Sequence, residues 1–245
     1  MKKKNKVAVV MPAYNAEKTL ARTYKDLPMK YIDDIILVDD CSRDKTVELS
    51  QKLGIHTIRH KHNLGYGGNQ KTCYTTALKR GADIIVMVHP DHQYDPKVIP
   101  DMVKSLSSGK FDAVFGSRML EGDPLGGGMP KWKYFFNISL SALANILFGI
   151  YLTEYHSGLR AYTRKYLENI NFMANSNDFV FDTEIIAQGV NKRFRIKEVP
   201  IPTRYFKEAS SIGLMRSIIY GLSFVNTLLK YKLYKKKLIK YRIFD

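Results

Sequence analysis

Cysteine is almost missing from this chain: 245 residues carry two, Cys41 and Cys73, and their spacing matches no zinc or redox motif. That argues against a cysteine-built metal site or a disulfide framework, so the fold must rest on a packed core. No secretory signal pattern opens the sequence, and both thiols are expected to be reduced, in a cytosolic compartment. Acidic residues are also short, 23 against 39 lysines and arginines, for a formal charge of +16. A surplus of that size points to anionic partners, whether phosphates, anionic lipid or nucleic acid. Internal repeats are absent, and low complexity is confined to the basic ends, which excludes a solenoid. With 45% hydrophobic and 25% charged residues the composition is globular, and the length suits one large α/β domain with a short appendage.

What is present is an alternation of strands and helices. Runs at 7–11, 35–38, 84–88 and 113–115 are apolar on both faces, as strands of a helix-covered parallel sheet should be. Between them, 17–26, 46–53, 69–80 and 96–107 read as helices. Ser42 and Asp44 make N-caps, and Gly54 and Gly81 sit where helices end. Such alternation predicts a doubly wound α/β sheet. Ligands of these sheets bind beyond the carboxyl ends of the strands. Polar clusters fall at those ends: Pro12-Ala13-Tyr14-Asn15-Ala16-Glu17, Asp39 to Thr46, and His89-Pro90-Asp91-His92-Gln93-Tyr94-Asp95-Pro96. One cluster alone is a turn or a cap; three at equivalent places predict a site.

The stretches Val-Val-Met-Pro-Ala-Tyr-Asn-Ala-Glu at 9–17 and Val-Asp-Asp-Cys-Ser-Arg-Asp-Lys-Thr at 38–46 resemble the opening signature of inverting glycosyltransferase family 2. Asn63-Leu64-Gly65-Tyr66-Gly67-Gly68-Asn69 resembles that family's glycine-rich turn. The branch most similar contains dolichyl-phosphate mannose and polyprenyl-phosphate glucose synthases, and the resemblance runs over about residues 6–211. It implies an α/β, Rossmann-like nucleotide-diphosphosugar transferase (GT-A) fold, and sugar transfer from a UDP- or GDP-sugar with inversion. The implied acceptor is a polyprenyl phosphate, and the implied cofactor is Mg²⁺ or Mn²⁺.

Carried over by position, the resemblance implies that Pro12, Tyr14, Glu17, Asp39 and Gly68 bind the nucleotide sugar together with Asp91 and Gln93. An ionised carboxylate at 39 suits a base or ribose donor, because it only accepts hydrogen bonds. Gly65, Gly67 and Gly68 serve either nucleotide approach or a simple pre-helix loop. Asp40 reads as a cap and stays outside the site. The family's Asp-x-Asp, which holds the metal, is His89-Pro90-Asp91 here. Asp91 is the carboxylate ligand, and His89, if a ligand, shifts the preference toward Mn²⁺. Arg118, Lys131 and Arg204 are expected at the acceptor or phosphate, with Arg204 assisting the leaving diphosphate. Asp182 and Glu184 are candidate general bases for a hydroxyl acceptor. Arg160 reads as an ordinary surface residue.

From 134 to 153 there is no charged residue, yet Asn137, Ser141 and Asn145 form a polar stripe at helical spacing. The pattern predicts an amphipathic helix at the membrane interface or against protein rather than a span. Beyond a catalytic domain at 1–211, the segment 212–245 mixes Leu222, Phe224 and Leu228 with Lys230, Lys232, Lys235, Lys236 and Lys237. Such a segment suits an anionic bilayer surface. The expected protein is therefore a cytoplasmic, peripherally membrane-associated transferase. A hydroxyl acceptor or an inactive scaffold is the alternative, and a membrane-protein partner or self-association is left open. No nucleic-acid recognition motif accompanies the basicity.

Overall fold

A computed structural model describes residues 5–120, 124–202 and 213–244. Its elements run β1 (Val7–Ala13), α1 (Leu20–Lys25), β2 (Asp34–Asp39), α2 (Thr46–Lys52), β3 (His56–Arg59), α3 (Tyr66–Lys79), β4 (Ile84–Met87) and α4 (Ile99–Ser107). The second half adds β5 (Ala113–Ser117), α5 (Lys131–Phe148), β6 (Arg160–Thr163), α6 (Arg164–Glu168), α7 (Phe181–Asn191), β7 (Ile196–Pro200) and α8 (Leu214–Lys235).

The apolar runs become strands because both of their faces are covered. Alternate residues feed two separate cores: Ala8, Val10, Ile36, Val38, Ile85 and Met87 point to one, Val7, Val9, Met11, Leu37, Ile84 and Val86 to the other. Helices α3, α5, α7 and α8 cover the first face through Tyr74, Ala144, Phe181 and Phe224. Leu20, Ile99, Met102 and Leu106 of α1 and α4 cover the second.

Among the described residues the sheet has seven strands in the order β3-β2-β1-β4-β6-β5-β7. All pairings are parallel except those of β6, which lies antiparallel between β4 and β5. The doubly wound reading therefore holds with one reversed strand. Reversal has a consequence for the site. It pairs the first residue of β6, Arg160, with Met87 at the carboxyl end of β4 and with Phe115 of β5. A parallel strand would have carried that residue to the opposite edge.

Helix α5 starts at Lys131 rather than near 134 and stops at Phe148, where Gly149 takes φ 70°. Its polar stripe turns inward: Ser141 is buried, and the Asn145 amide brackets the Leu152 backbone at 2.9 Å on both sides while accepting from the Tyr155 hydroxyl at 2.8 Å. The outward face is apolar instead, with Trp132, Phe135, Ile138 and Ile146 exposed. Helix α8 packs on α5 and α7, burying Phe224, Leu228 and Tyr231. After it the chain folds back, and Ile243 and Phe244 are buried against Tyr231 and Tyr234. No helix among the described residues is long and apolar enough to cross a membrane.

Candidate active site

The register of β1 and β2 sets Ala13 beside Asp39, so the loops after both strands meet. They are sewn together reciprocally. Amides of Asn15, Ala16 and Glu17 donate to Ser42 Oγ, Thr46 Oγ1 and Asp44 Oδ2 at 2.8, 2.7 and 3.0 Å. In return, Asn15 Oδ1 accepts from the Arg43 amide and Glu17 Oε2 from the Lys45 amide, at 2.9 and 3.2 Å. Glu17 is thus spent on joining the loops and does not line the cleft they border, whereas Pro12 and Tyr14 do.

Asp39 is fully buried and does not itself line the cleft, although its neighbours Ala13, across the register, and Asp40, along the chain, do. Its Oδ2 accepts from the Ser42 amide at 3.0 Å and lies 3.7 Å from Arg59 Nε, while Oδ1 is buried with no hydrogen-bond partner among the described residues. A buried acceptor of this kind is costly unless a ligand supplies the donor. Asp40, read from sequence as a cap, organises the glycine turn. Its carboxylate accepts from the amides of Leu64 and Gly65 at 2.8 and 3.0 Å and from His60 Nδ1 at 2.8 Å. Gly67 is required for a different contact: a Cβ there would sit 2.4 Å from the Ser176 carbonyl oxygen and 2.8 Å from Phe181 Cβ. The turn thus packs against the 176–181 segment, and Gly68 does not reach the cleft.

After β4, His89, Asp91 and Gln93 all line the same cleft. Asp91 Oδ1 accepts from the Gln93 amide at 3.0 Å. His89 stacks on Tyr66, ring centroids 5.5 Å apart, with Nε2 3.3 Å from the phenol oxygen. Burial holds the imidazole below its ordinary range against the opposing pull of Asp91 and Asp182. Burial and the neighbouring Asp182 hold the Tyr66 phenol well above its own, so it stays protonated. Among the described residues no three His, Cys, Asp or Glu side chains form a preformed metal cage. His89, Asp91 and Gln93 are cleft-lining residues whose nitrogen and oxygen atoms could contribute to holding a divalent ion.

Arg160 corrects the surface expectation. It is 1% exposed, carried inward by the reversed strand β6. Its guanidinium donates to the carbonyls of Ser157, Asp182 and Tyr155 at 2.9, 3.0 and 2.8 Å and lies 3.6 Å from Asp182 Oδ2. Asp182 lines the cleft, but its carboxylate already accepts from the Tyr66 hydroxyl at 2.7 Å and Gln70 Nε2 at 3.0 Å. Glu184 does not reach the cleft; Oε2 accepts from the Ser176 amide at 2.6 Å, and burial raises its carboxyl above the usual range.

Of the expected cations, Arg118 lines the cleft, aligned by Glu154, which takes its Nε at 2.7 Å and also its terminal nitrogen. Lys131 is exposed and does not line the cleft, whereas Lys133 does, its ammonium held down by burial and by Arg118. Arg204 lies outside the described residues. The cleft has a volume of about 1010 Å³ and two unlike walls. One is the polar edge of β1, β2 and β4. The other is built from α5 and α8, with Trp132, Phe136, Ile219 and Tyr220 beside Arg216. His156 stands between them, hydrogen-bonded through Nδ1 to the Tyr220 hydroxyl at 2.8 Å and pushed down to about 3 by burial and by Arg118 and Arg160.

Sequence reading missed Asp40, Tyr66, Lys133 and Arg216. Helical spacing carried a signal for one of them: Lys133, Phe136 and Asn137 fall on one face once α5 is started at residue 131. For Arg216 no such signal exists, because only the packing of α8 brings it to the cleft.

The chain is 32% identical to an uncharacterized protein of Methanocaldococcus jannaschii, over 94% of both chains. It is 28% identical to the UDP-N-acetylglucosamine–dolichyl-phosphate N-acetylglucosaminyltransferase of Methanococcus voltae, over 94% of this chain and 97% of that one. In structure it is similar to glucosyl-3-phosphoglycerate synthase from Mycobacterium tuberculosis, solved with Mn²⁺, uridine diphosphate and phosphoglyceric acid. The TM-score is 0.71 at 16% identity, covering 93% of this chain and 78% of that one, a likeness that establishes the GT-A fold. Residues 8–170 match the family model Glycosyl transferase family 2, and with the two-walled cleft at the carboxyl ends of its strands this chain belongs to that family.

Proposed function

We propose that this glycosyltransferase moves a sugar from a UDP-sugar to a polyprenyl phosphate at the cytoplasmic surface of a membrane, with inversion at the anomeric carbon. The observation that carries the reading is the pair of unlike walls: a polar strand edge suited to a nucleotide, facing helices whose outward surface is apolar. The uridine donor is favoured by the Methanococcus voltae relative, whose name specifies UDP-N-acetylglucosamine and dolichyl phosphate.

In this reading Pro12, Tyr14 and Asp39 hold the nucleoside, with Glu17 and Gly68 shaping the pocket from behind. His89, Asp91 and Gln93 hold Mg²⁺ or Mn²⁺ at the diphosphate. An ion held there would supply electrostatic stabilisation of the charge building on the leaving group. Arg118 and Lys133, which line the cleft, face the acceptor phosphate, and Arg204 keeps the phosphate role that the resemblance implies. The state of the two candidate bases supports a phosphate acceptor. Asp182 is occupied by Tyr66, Gln70 and Arg160, and Glu184 by the Ser176 amide. A phosphate monoester, with its second pKa near ~6, is largely ionised at neutral pH and needs no base. A hydroxyl acceptor must lose a proton during attack and does need one.

The test is transfer from UDP- and GDP-sugars to polyprenyl phosphate in liposomes and to soluble glycans, comparing wild type with Glu184→Gln and Arg118→Ala. Transfer to the lipid that survives Glu184→Gln and is lost in Arg118→Ala is the expected result. Activity confined to soluble hydroxyl acceptors, lost in the carboxylate variant, overturns the reading.

A further inference from the structure

Tyr66 carries one phenolic proton, and the geometry commits it. The hydroxyl lies 2.7 Å from Asp182 Oδ2, and an ionised carboxylate only accepts. The same phenol oxygen lies 3.3 Å from His89 Nε2. With its proton directed at Asp182, Tyr66 faces the imidazole as an acceptor, so Nε2 must carry the imidazole proton. In a neutral ring the other nitrogen, Nδ1, then keeps its lone pair.

Both ends of this chain of hydrogen bonds are fixed. Asp182 is held at Oδ1 by Gln70 Nε2 at 3.0 Å and at its backbone carbonyl by Arg160 at 3.0 Å. The His89 ring lies nearly parallel to Tyr66, at an interplanar angle of 16°. Its other neighbour is Gly158, where a Cβ would come within 2.5 Å of Cδ2 and 2.7 Å of Nε2. The Nε2–Cδ2 edge of the ring therefore lies against Gly158, with Nε2 within reach of the Tyr66 hydroxyl oxygen. The opposite edge, bearing Nδ1, is the one left for a ligand in the cleft that His89 lines.

We propose that the Asp182–Tyr66–His89 relay sets the His89 tautomer so that Nδ1 meets the divalent ion at the diphosphate. Tyr66 and Asp182 are then positioning residues for the ion, and Asp182 has this task in place of the base role expected from sequence. The inference rests on the metal reading above. It also gives the histidine at position 89 a physical logic: imidazole replaces a carboxylate as ligand only if its metal-facing nitrogen is kept unprotonated, as hydrogen-bonded partners of metal-binding histidines do.

Two measurements on the full-length chain separate this idea from the one beneath it. Long-range ¹H–¹⁵N NMR of the metal-free protein, assigned with His89→Ala, reads the tautomer directly. Wild type is expected to show Nε2–H, and Tyr66→Phe, which keeps the ring, a mixture of both forms. Mn²⁺ binding in the presence of UDP, read by electron paramagnetic resonance, is expected to weaken about tenfold or more in Tyr66→Phe and at least as much in His89→Ala. An Nδ1–H tautomer in wild type overturns the relay whatever the metal does. Unchanged Mn²⁺ affinity in His89→Ala removes the metal reading even where the tautomer is as assigned. Altered tautomer but unchanged affinity in Tyr66→Phe overturns the positioning role.

Discussion

At the scale of single residues, Asp39 shows how an unsatisfied buried acceptor points to a ligand. One carboxylate oxygen is satisfied by the Ser42 amide, and the other is buried without a donor. Leaving such an atom unpaired costs about 1–3 kcal/mol, which a nucleoside N–H or O–H reaching it would recover. Asp39→Asn keeps the bond to Ser42 through its carbonyl oxygen and turns the second position into a donor, so donor faces donor. UDP affinity measured by calorimetry is expected to fall about tenfold to a hundredfold, roughly 1.4–2.8 kcal/mol, with Tm held or raised. Affinity within twofold of wild type would remove Asp39 from the nucleotide site. The positions of Asp39 and Asp91 at or just after strand carboxyl ends were legible in the sequence, because placing them needs only the strand to be identified. Arg160 was not, since its burial depends on β6 running against its neighbours, which no local pattern encodes.

Elements obey the same division. Strands β1, β2, β4 and β5 and the helices between them were legible because hydrophobic period and flanking glycines are local signals. The long α5 was legible as a helix with a polar stripe, but not in its orientation. Asn145 finds its partners in the Leu152 backbone and Tyr155, so the polar stripe faces protein together with Leu140, Ala144 and Phe148, while a second apolar set, Trp132, Phe135, Ile138 and Ile146, is left outside. The glycine turn held two readings in sequence, and packing against residues 176–181 accounts for Gly67 in full. An added methyl at 67 meets a backbone oxygen and a Cβ, neither of which can rotate away. Overpacking of this kind costs about 1–3 kcal/mol. Urea unfolding of Gly67→Ala should show a loss of that size. Wild-type stability would mean that the 176–181 segment moves aside freely, and that the turn is built for a ligand instead.

At the scale of the whole molecule, α8 presents an exposed surface that is mainly apolar at its start, Arg216 apart, and grows basic toward its end, where Leu229, Leu233 and Leu238 are exposed among the lysines. Its first turns expose Met215, Ile218, Ile219 and Leu222, and its last turn and the residues after it expose Lys232, Lys235, Lys236 and Lys237. Ile219 and Trp132 also line the cleft, so the apolar surface begins where the cleft opens. Under the proposed function, a bilayer with anionic headgroups would match this surface: apolar side chains would enter the acyl boundary while lysines stay at the phosphates. The two contributions separate experimentally. Leu222 is 68% exposed and does not line the cleft, so Leu222→Glu is expected to leave Tm and UDP affinity unchanged. Vesicle binding and transfer to a membrane-embedded acceptor should fall together, because the change drives a charge into the acyl boundary. Lys235→Gln with Lys236→Gln acts differently. Each lysine near an anionic surface contributes about 1 kcal/mol, so the pair should weaken binding to anionic vesicles by roughly thirtyfold at low salt, and by less at high salt. Binding to neutral vesicles should not respond to the lysine changes at all. If flotation shows Leu222→Glu on anionic vesicles at wild-type levels, the α8 face is not what meets the bilayer. An acceptor delivered from solution would then be the better account of the cleft's apolar wall.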